Sequence, residues 1–436
     1  MIIRNYKSLA TTKLRRDGLK IIESAYEAID IEKLIKRRFL LNGRTLEVRD
    51  LAQKNKILLD KYKRVFVIGF GKGSYAAVSK MSDILGKKLY GAISLDINSS
   101  YKPKRPNKKV TAFWGTHPTP SKENVEATTT ITSIARDANK DDLIIYFIGG
   151  GGSSLLCGSL GELDYSGWLF KKLTKKGATI EEINTVRKHI SEVKGGNLAK
   201  LTYPADSFSL IVSDVCGNSL GTIASGPTIY DKSKVEDALM VLKKYKIPVG
   251  NIIFTKTPKE KKYFSKCKYF LLACNQDAVL AMVNTARKIG YDASIGSLLV
   301  NGEARKAIFP FIKKTKVGQA TILAGETTVV IRGRGKGGRN QELVLSVIAA
   351  ASDKKIDMTG TFLASFNSDG FDNTPVAGAI ADDVSFKNCK KRKLNPAKYL
   401  NNNDSFTFFQ KTGDFIRTER RAFNVADLML ILISDK

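Results

Sequence analysis

Apolar positions along the chain fall into two kinds of run that alternate. Short apolar runs, bounded by glycine or charge, read as strands, and the continuous run 143–148 reads as a strand buried on both faces. They cover 62–70 (YKRVFVIGF), 90–96, 109–114, 143–148 (LIIYFI), 208–215 (FSLIVSDV), 268–274, 321–324, 327–331, 361–366 and 428–433. Between them lie stretches with helical spacing. In 11–39, Leu14, Leu19, Ile22, Ala25 and Ile29 recur on one face. Helices are predicted likewise over 74–85, 121–139, 165–176, 180–191, 232–248, 275–289 and 340–351. This alternation predicts an α/β fold. A polar stretch ending at Lys268 marks a boundary, and two domains are expected, residues 1–250 and 251–436.

The run 143–148 leads into Gly149, Gly150, Gly151 and Gly152, then Ser153 and Ser154. Four residues without Cβ can turn sharply and let a ligand approach the backbone. Their N–H groups can converge on an anion, and the serines add hydroxyl donors. A second glycine turn, Gly71-Lys72-Gly73-Ser74, follows the run 62–70 and opens a helix. It fits neither the P-loop nor the dinucleotide fingerprint. Lys72 at a helix N-terminus is a candidate phosphate or carboxylate ligand, because dipole and ammonium act together.

Three further predicted strands end in carboxylates or glycine. Asp214 follows Ser213, Glu326 follows Gly325, and Asp369 follows Ser368. In open parallel sheets, ligands bind beyond the carboxyl ends of the strands. Asp214, Asp369 and Asp372 are candidates for a Mg²⁺ ligand or for the base that takes a hydroxyl proton. A turn-forming or capping role competes for each. Arg332, Arg334, Lys336 and Arg339 stand among glycines just ahead of a helix, an arrangement expected to hold an anion. Arg187, Lys188 and Lys194, near Gly195 and Gly196, read as a second anion edge, with a solvated basic helix as the alternative.

Charge changes the picture little. The formal net charge is +30, which raises nucleic-acid binding. The lysines are scattered through many segments, however, with no zinc-finger spacing, no aromatic RNA-binding signature and no basic heptad helix. A solvated lysine-rich surface that attracts anionic substrates accounts for it. No run approaches the ~18 apolar residues of a membrane span, and the N-terminal residues do not read as a signal peptide. Five cysteines, none in a CxxC pair, fit a reducing, cytoplasmic setting. Two histidines, His117 and His189, leave no His-rich metal site.

The ordered series GFGKGS (69–74), THPTP (116–120), GGGGSSLL (149–156), NTVRKHISEVKGGNLA (184–199), SDV…IASGPT (213–228), GETTVVIRGRGKGGRNQE (325–342) and SDGFD…AGA (368–379) resembles the glycerate 2-kinases of the MOFRL type. The resemblance implies a Rossmann-like N-terminal domain, a smaller α/β C-terminal MOFRL domain and an active site in the cleft between them. It implies ATP-dependent phosphorylation of the 2-hydroxyl of D-glycerate, with Mg²⁺. Lys72 and Arg339 match the family's catalytic pair; Asp369 and Asp214, read from the strand ends, are the candidate catalytic or metal-binding carboxylates. Expected substrate- or nucleotide-binding residues are Gly71, Gly73, Ser74, His117, Gly150, Gly151, Gly152, Ser153, Ser154, Arg187, Lys194, Glu326, Arg334, Asn340, Gln341 and Glu342. The expected partners are D-glycerate and ATP, without nucleic acid or membrane, in a monomer or homodimer. Two other readings stand beside it: a 2-hydroxy-acid oxidoreductase, and a non-catalytic binder of anions or nucleic acid. The chain departs from the family pattern at 216–219 (CGNS where PGDD is usual), at Asn197 and at 419–427.

Overall fold

The computed structural model describes residues 1–97, 106–213, 217, 219–419 and 424–435. The chain divides into two compact units, residues 31–273 and residues 1–30 together with 274–436. The division differs from the one expected at 250/251. The helix Lys13–Ala28 buries Leu19, Ile21, Ile22 and Ala25 and packs on the helix Asn275–Lys288. An apolar helix face does not reveal that its partner lies 260 residues on. The helical stretch expected over 11–39 therefore breaks near Ile29, and Ile31–Arg38 belongs to the other unit.

In the unit 31–273, β1 (Phe39–Asn42), β2 (Thr45–Arg49) and β3 (Lys54–Leu58) form a small antiparallel sheet. The main sheet contains β4 (Arg64–Phe70), β5 (Gly91–Ile97), β6 (Thr111–Gly115), β7 (Asp142–Ile148), β8 (Asp206–Val212) and β9 (Cys267–Ala273). All its pairings are parallel, in the order β6-β5-β4-β7-β8-β9. The strand order reverses between β4 and β7. Such a switch point leaves a crevice at the carboxyl ends of the two strands. Phe70 pairs with Ile148, so both strands end level and their glycine turns leave the sheet side by side. Every residue of β7 is buried, which is why it reads as an unbroken apolar run. Phe66, Ile68, Phe70, Ile144, Tyr146 and Ile148 pack with Ala127, Ile131 and Ala135 of the helix Lys122–Asp137. Each large side chain buried there contributes roughly 1.5–3 kcal/mol.

The other unit holds a mixed sheet of β10 (Asp292–Val300), β11 (Gln319–Gly325), β12 (Thr361–Asn367), β13 (Gly378–Ala381), β14 (Phe415–Ile416) and β15 (Asp427–Ile433), in the order β10-β11-β15-β12-β13-β14. Only β10 and β11 pair in parallel; β15 runs antiparallel to both its neighbours. The helix Arg339–Ser352 packs on β12 and β13, burying Leu343, Val344, Val347 and Ile348. The strand expected over 327–331 is absent. Thr328 instead bonds to the turn at 302–304, donating to the Gly302 carbonyl and accepting from Ala304 N–H, both at 2.8 Å. Its ladder partners are turn residues rather than a strand. Among the described residues, no helix is long and apolar enough to cross a membrane.

Candidate active site

The two glycine turns of the parallel sheet interlock through their backbones. Lys72 N–H donates to the Gly150 carbonyl at 2.9 Å, and Gly149 N–H donates to the Phe70 carbonyl at 2.9 Å. Gly71 has φ +102°, and a Cβ there would collide with the Gly149 carbonyl. A Cβ on Gly149 would lie 2.6 Å from the Lys72 carbonyl oxygen. Glycine is required at both positions by this backbone contact. Gly73, at φ +79°, stands at the N-terminus of the helix Ser74–Leu85. Ser74 is buried and donates its hydroxyl to the Leu95 carbonyl at 2.9 Å.

Asp96, at the end of β5, holds this turn from the side. Its carboxylate accepts from Gly73 N–H at 3.2 Å, Tyr75 N–H at 3.0 Å and Ile97 N–H at 2.7 Å. It thus caps the first turn of a helix that has no capping side chain of its own. Burial pushes its carboxyl up to about 6, against the bonds from Tyr75, Ile97 and Gly73 and the charge of Lys72. Gly151 brings Lys72 and His117 together. A Cβ on Gly151 would lie 3.1 Å from the His117 ring and 3.5 Å from Lys72 Cε.

Ser153 and Ser154 follow in the helical turn Gly152–Leu155. Ser153 bonds to Ser225 at 2.9 Å, and Ser225 donates to Asn184 Oδ1 at 3.0 Å. Ser153, Ser154, Arg187 and Lys194 line one small hollow of about 10 Å³. Burial lowers the Arg187 guanidinium to about 10, and it stacks 4.5 Å from the Phe170 ring centroid. Lys194 is buried, pairs with Glu162 and donates to the Leu156 carbonyl at 2.7 Å. Its charge is therefore compensated within the fold, whereas Arg187 has no carboxylate at ion-pair distance among the described residues. Asn197 donates to the carbonyls of Ser191 and Lys194 and so shapes the same turn.

In the other unit, Arg339 opens the helix Arg339–Ser352. Its Nε donates to Asp427 Oδ2 at 2.5 Å and its Nη2 to Asp427 Oδ1 at 3.2 Å; Nη1 donates to Glu326. Burial opposes the Arg339 charge, but Asp427 and Glu326 hold its pKa above the ordinary value. Asp427 starts β15 and pairs in register with Gly325 of β11 and Asn367 of β12. It also accepts from the amides of Asn340 at 2.9 Å and Asn367 at 3.1 Å. Burial pushes its carboxyl up to about 7, against the pull of Arg339 and Asn340. Asp372 accepts from the backbone and side-chain amides of both Asn340 and Gln341, at 2.9–3.2 Å. It is the buried cap of this helix.

The backbone of the basic glycine loop is held by residues 402–404. Arg332 and Gly333 N–H donate to Asn403 Oδ1, Arg334 N–H to Asn402 Oδ1, Gly335 N–H to the Asn402 carbonyl and Lys336 N–H to Asp404 Oδ1. A Cβ on any of Gly333, Gly335 or Gly337 would collide with 402–405. The glycines admit a neighbouring chain segment, and the backbone donors of 332–336 are already used. Arg334 and Lys336 are exposed, and the half-exposed Arg332 pairs with Glu303 at 3.1 Å. Glu342 is buried with Arg305 at 2.7 Å and Asn403 at 2.9 Å, so it braces the loop. A cavity of about 650 Å³ opens here, walled by Arg339, Asn367, Phe371, Asp372 and the glycine backbone.

Asp369 is partly exposed; its N–H bonds to Asn367 Oδ1, and its Oδ1 accepts from Phe371 N–H at 2.9 Å. Asp214 and residues 420–423 lie outside the described residues. Among the described residues, no group of three or more acidic, His or Cys side chains gathers to hold a metal. Asp369 does meet the lesser need of Mg²⁺ on a polyphosphate, one or two carboxylates with phosphate and water oxygens.

Residues 17–253 match a domain of unknown function, DUF4147, and residues 319–427 match the MOFRL family. The chain is 33% identical to the D-glycerate 2-kinase of Thermotoga maritima, over 96% of this chain and 98% of that protein. It is 33% identical to the glycerate 2-kinase of Picrophilus torridus over the full length of both. The chain belongs to the MOFRL-type glycerate 2-kinase family. A crystal structure of the Thermotoga maritima glycerate kinase superposes with a TM-score of 0.83 at 31% identity, covering 96% of this chain and 99% of that one.

Within the family framework, several residues around Lys72 and Arg339 escape a reading by motif. Asp96 and Asp427 each stand at the end of an apolar run, a weak signal that a buried polar group serves the strand end. Ser225 and Asn184 fall inside family motifs but carry no charge to single them out. Asn367 precedes the SDG turn and is visible only through its register with Asp427.

Proposed function

We propose that this chain transfers the γ-phosphoryl group of ATP to the 2-hydroxyl of D-glycerate, giving 2-phosphoglycerate and ADP. The observation that carries the reading is the pair of interlocked glycine turns at the reversal of a parallel sheet. It occurs in a chain similar over its whole length to glycerate 2-kinases. The order β6-β5-β4-β7-β8-β9 supports a Rossmann-like description of the unit 31–273.

Phosphoryl transfer asks a protein for positioning and charge, with little covalent chemistry. The Lys72 ammonium, at the N-terminus of Ser74–Leu85, is suited to hold phosphoryl or carboxylate oxygens. The Arg339 fork, its orientation fixed by Asp427 and Glu326, is suited to charge that develops on the transferring group. When bound, Mg²⁺ would neutralise polyphosphate charge, with Asp369 as a carboxylate ligand. Asp369 is alternatively the base for the 2-hydroxyl proton, since its partly exposed carboxylate can reach a substrate. A reducing, cytoplasmic setting fits the free thiols of Cys157, Cys267, Cys274 and Cys389.

ADP release with D-glycerate and a panel of hydroxy acids tests the reading. Release with D-glycerate is expected. Oxidation of NAD(P)H by hydroxypyruvate without ADP release would replace it with the oxidoreductase reading. Salt-sensitive RNA or DNA binding without ATP turnover would favour the non-catalytic binder.

A further inference from the structure

The hydrogen bonds behind Ser153 run in one direction. Asn184 Nδ2 lies 3.4 Å from the Thr222 carbonyl, which can only accept. The amide is thereby oriented with Oδ1 toward Ser225, and Oδ1 can only accept. Ser225 must donate its one hydroxyl proton to Asn184, at 3.0 Å. The 2.9 Å contact between Ser225 and Ser153 then needs the Ser153 proton. Ser153 has spent its proton inward, and its oxygen shows lone pairs to the partly exposed side. A serine of a glycine-rich turn, expected to donate to an anion, is set up as an acceptor.

The relay stands on an unusual backbone. Ala224, Ser225 and Gly226 are three successive residues at φ 51°, 59° and 58°. Non-glycine residues in that region carry strain of order 1–3 kcal/mol each, and such strain gathers at functional sites. Ser225 is fully buried, and Ala224 closes on Gly152, whose Cβ would lie 2.7 Å from the Ala224 side chain.

We infer that Ser153 is a specificity residue that accepts a hydrogen bond from a spectator hydroxyl of the hydroxy-acid substrate, and that Ser225 and Asn184 are its positioning residues. This rests on the kinase reading above. An acceptor oxygen repels phosphate and carboxylate oxygens and welcomes a hydroxyl proton. That hydroxyl is not the one phosphorylated, because a neutral serine whose proton is committed cannot take the proton the reacting hydroxyl releases. In D-glycerate the remaining group is the 3-hydroxyl.

The test compares D-glycerate with its 3-deoxy analogue, D-lactate, and with its 3-deoxy-3-fluoro analogue, by ADP release from the full chain. Fluorine is near the size of a hydroxyl but cannot donate. The wild type should prefer D-glycerate over both by at least ~10² in kcat/KM, with the fluoro compound the poorer of the two. In Ser225→Ala the Ser153 proton is free to turn outward. That variant should lose at least ~10-fold on D-glycerate, rank the fluoro compound above D-lactate and keep its KM for ATP. Wild-type use of the fluoro compound as good as that of D-glycerate would overturn the inference and leave the kinase reading intact. An unchanged ranking in Ser225→Ala would also overturn it, reducing the relay to a structural prop. No ADP release by the wild type with any of the three would remove the kinase reading and this inference together.

Discussion

Lys72 donates its backbone N–H to the carbonyl of Gly150, locking the turn after β4 to the turn after β7. The position of the Lys72 ammonium therefore depends on the glycines that let these backbones meet. Lys72→Ala should fold and should lower kcat/KM by on the order of 10² or more, as removal of a charge-stabilising group does. Gly149→Ala should reach a similar loss by a different route, through displacement of the Lys72 carbonyl, and should lower Tm as well. Steady-state kinetics and thermal unfolding of both variants separate the two effects. Near-wild-type kinetics in folded Lys72→Ala would remove the assignment.

Arg339 offers a second test of the same kind. It spans two carboxylates through three nitrogens, a fork that lysine cannot reproduce. Arg339→Lys should therefore lose ~10² in kcat despite keeping its charge. Asp427→Asn removes the anion that fixes the fork, and kcat should fall at least ~10-fold while the Asn340 and Asn367 neighbours keep the strand in place. Full activity in Arg339→Lys would show that only the charge matters.

Asp96 gives opposite pH signatures for stability and activity. In the unfolded chain its carboxyl titrates near ~3.9; in the fold it is pushed up to about 6. Between those values the folded chain holds the extra proton. Stability from this group therefore falls as pH rises across that window, by ~3 kcal/mol in all, and is constant above it. Activity should move the other way. The ionised carboxylate accepts the Gly73, Tyr75 and Ile97 N–H groups, so kcat/KM should fall as pH drops through about 6. Asp96→Asn should remove the component near 6 from both profiles and leave the one from Asp427 near 7; an acid limb unchanged near 6 would separate Asp96 from the Lys72 turn.

Asp369→Asn keeps size and removes charge. The variant should need more Mg²⁺ for half-maximal rate if the carboxylate binds the ion, and should lose kcat at saturating Mg²⁺ if it is the base. Titration of rate against Mg²⁺ distinguishes these. An unchanged rate and an unchanged Mg²⁺ profile would exclude Asp369 from both roles.

The parallel sheet was legible because β4, β7 and β8 are buried on both faces and read as unbroken apolar runs. The mixed sheet was less so. β10 is an exposed edge strand whose pattern mixes Ser, Gly and Leu, and β13 and β14 are too short to show a period. Charged site residues stood out by type, but their company did not. Arg332, Arg334 and Arg339 look alike in sequence; Arg332 pairs with Glu303, Arg334 is exposed, and Arg339 meets Asp427. The sequence does not show that Lys194 stands beside Glu162, or Glu342 beside Arg305, because each partner lies more than thirty residues away in the chain. Ser153 reads as a donor until the Ser225–Asn184 pair is traced, because proton direction is a property of three residues far apart in the chain.

The regiochemistry of the product tests the central claim most directly. The full chain is incubated with ATP, Mg²⁺ and D-glycerate, and product formation is followed by enolase coupling without a phosphoglycerate mutase. Enolase acts directly on the 2-phosphate and not on the 3-phosphate. An immediate signal, matching ADP release in rate and amount, is the predicted result. ADP release whose enolase signal appears only after mutase is added would contradict phosphorylation at the 2-hydroxyl.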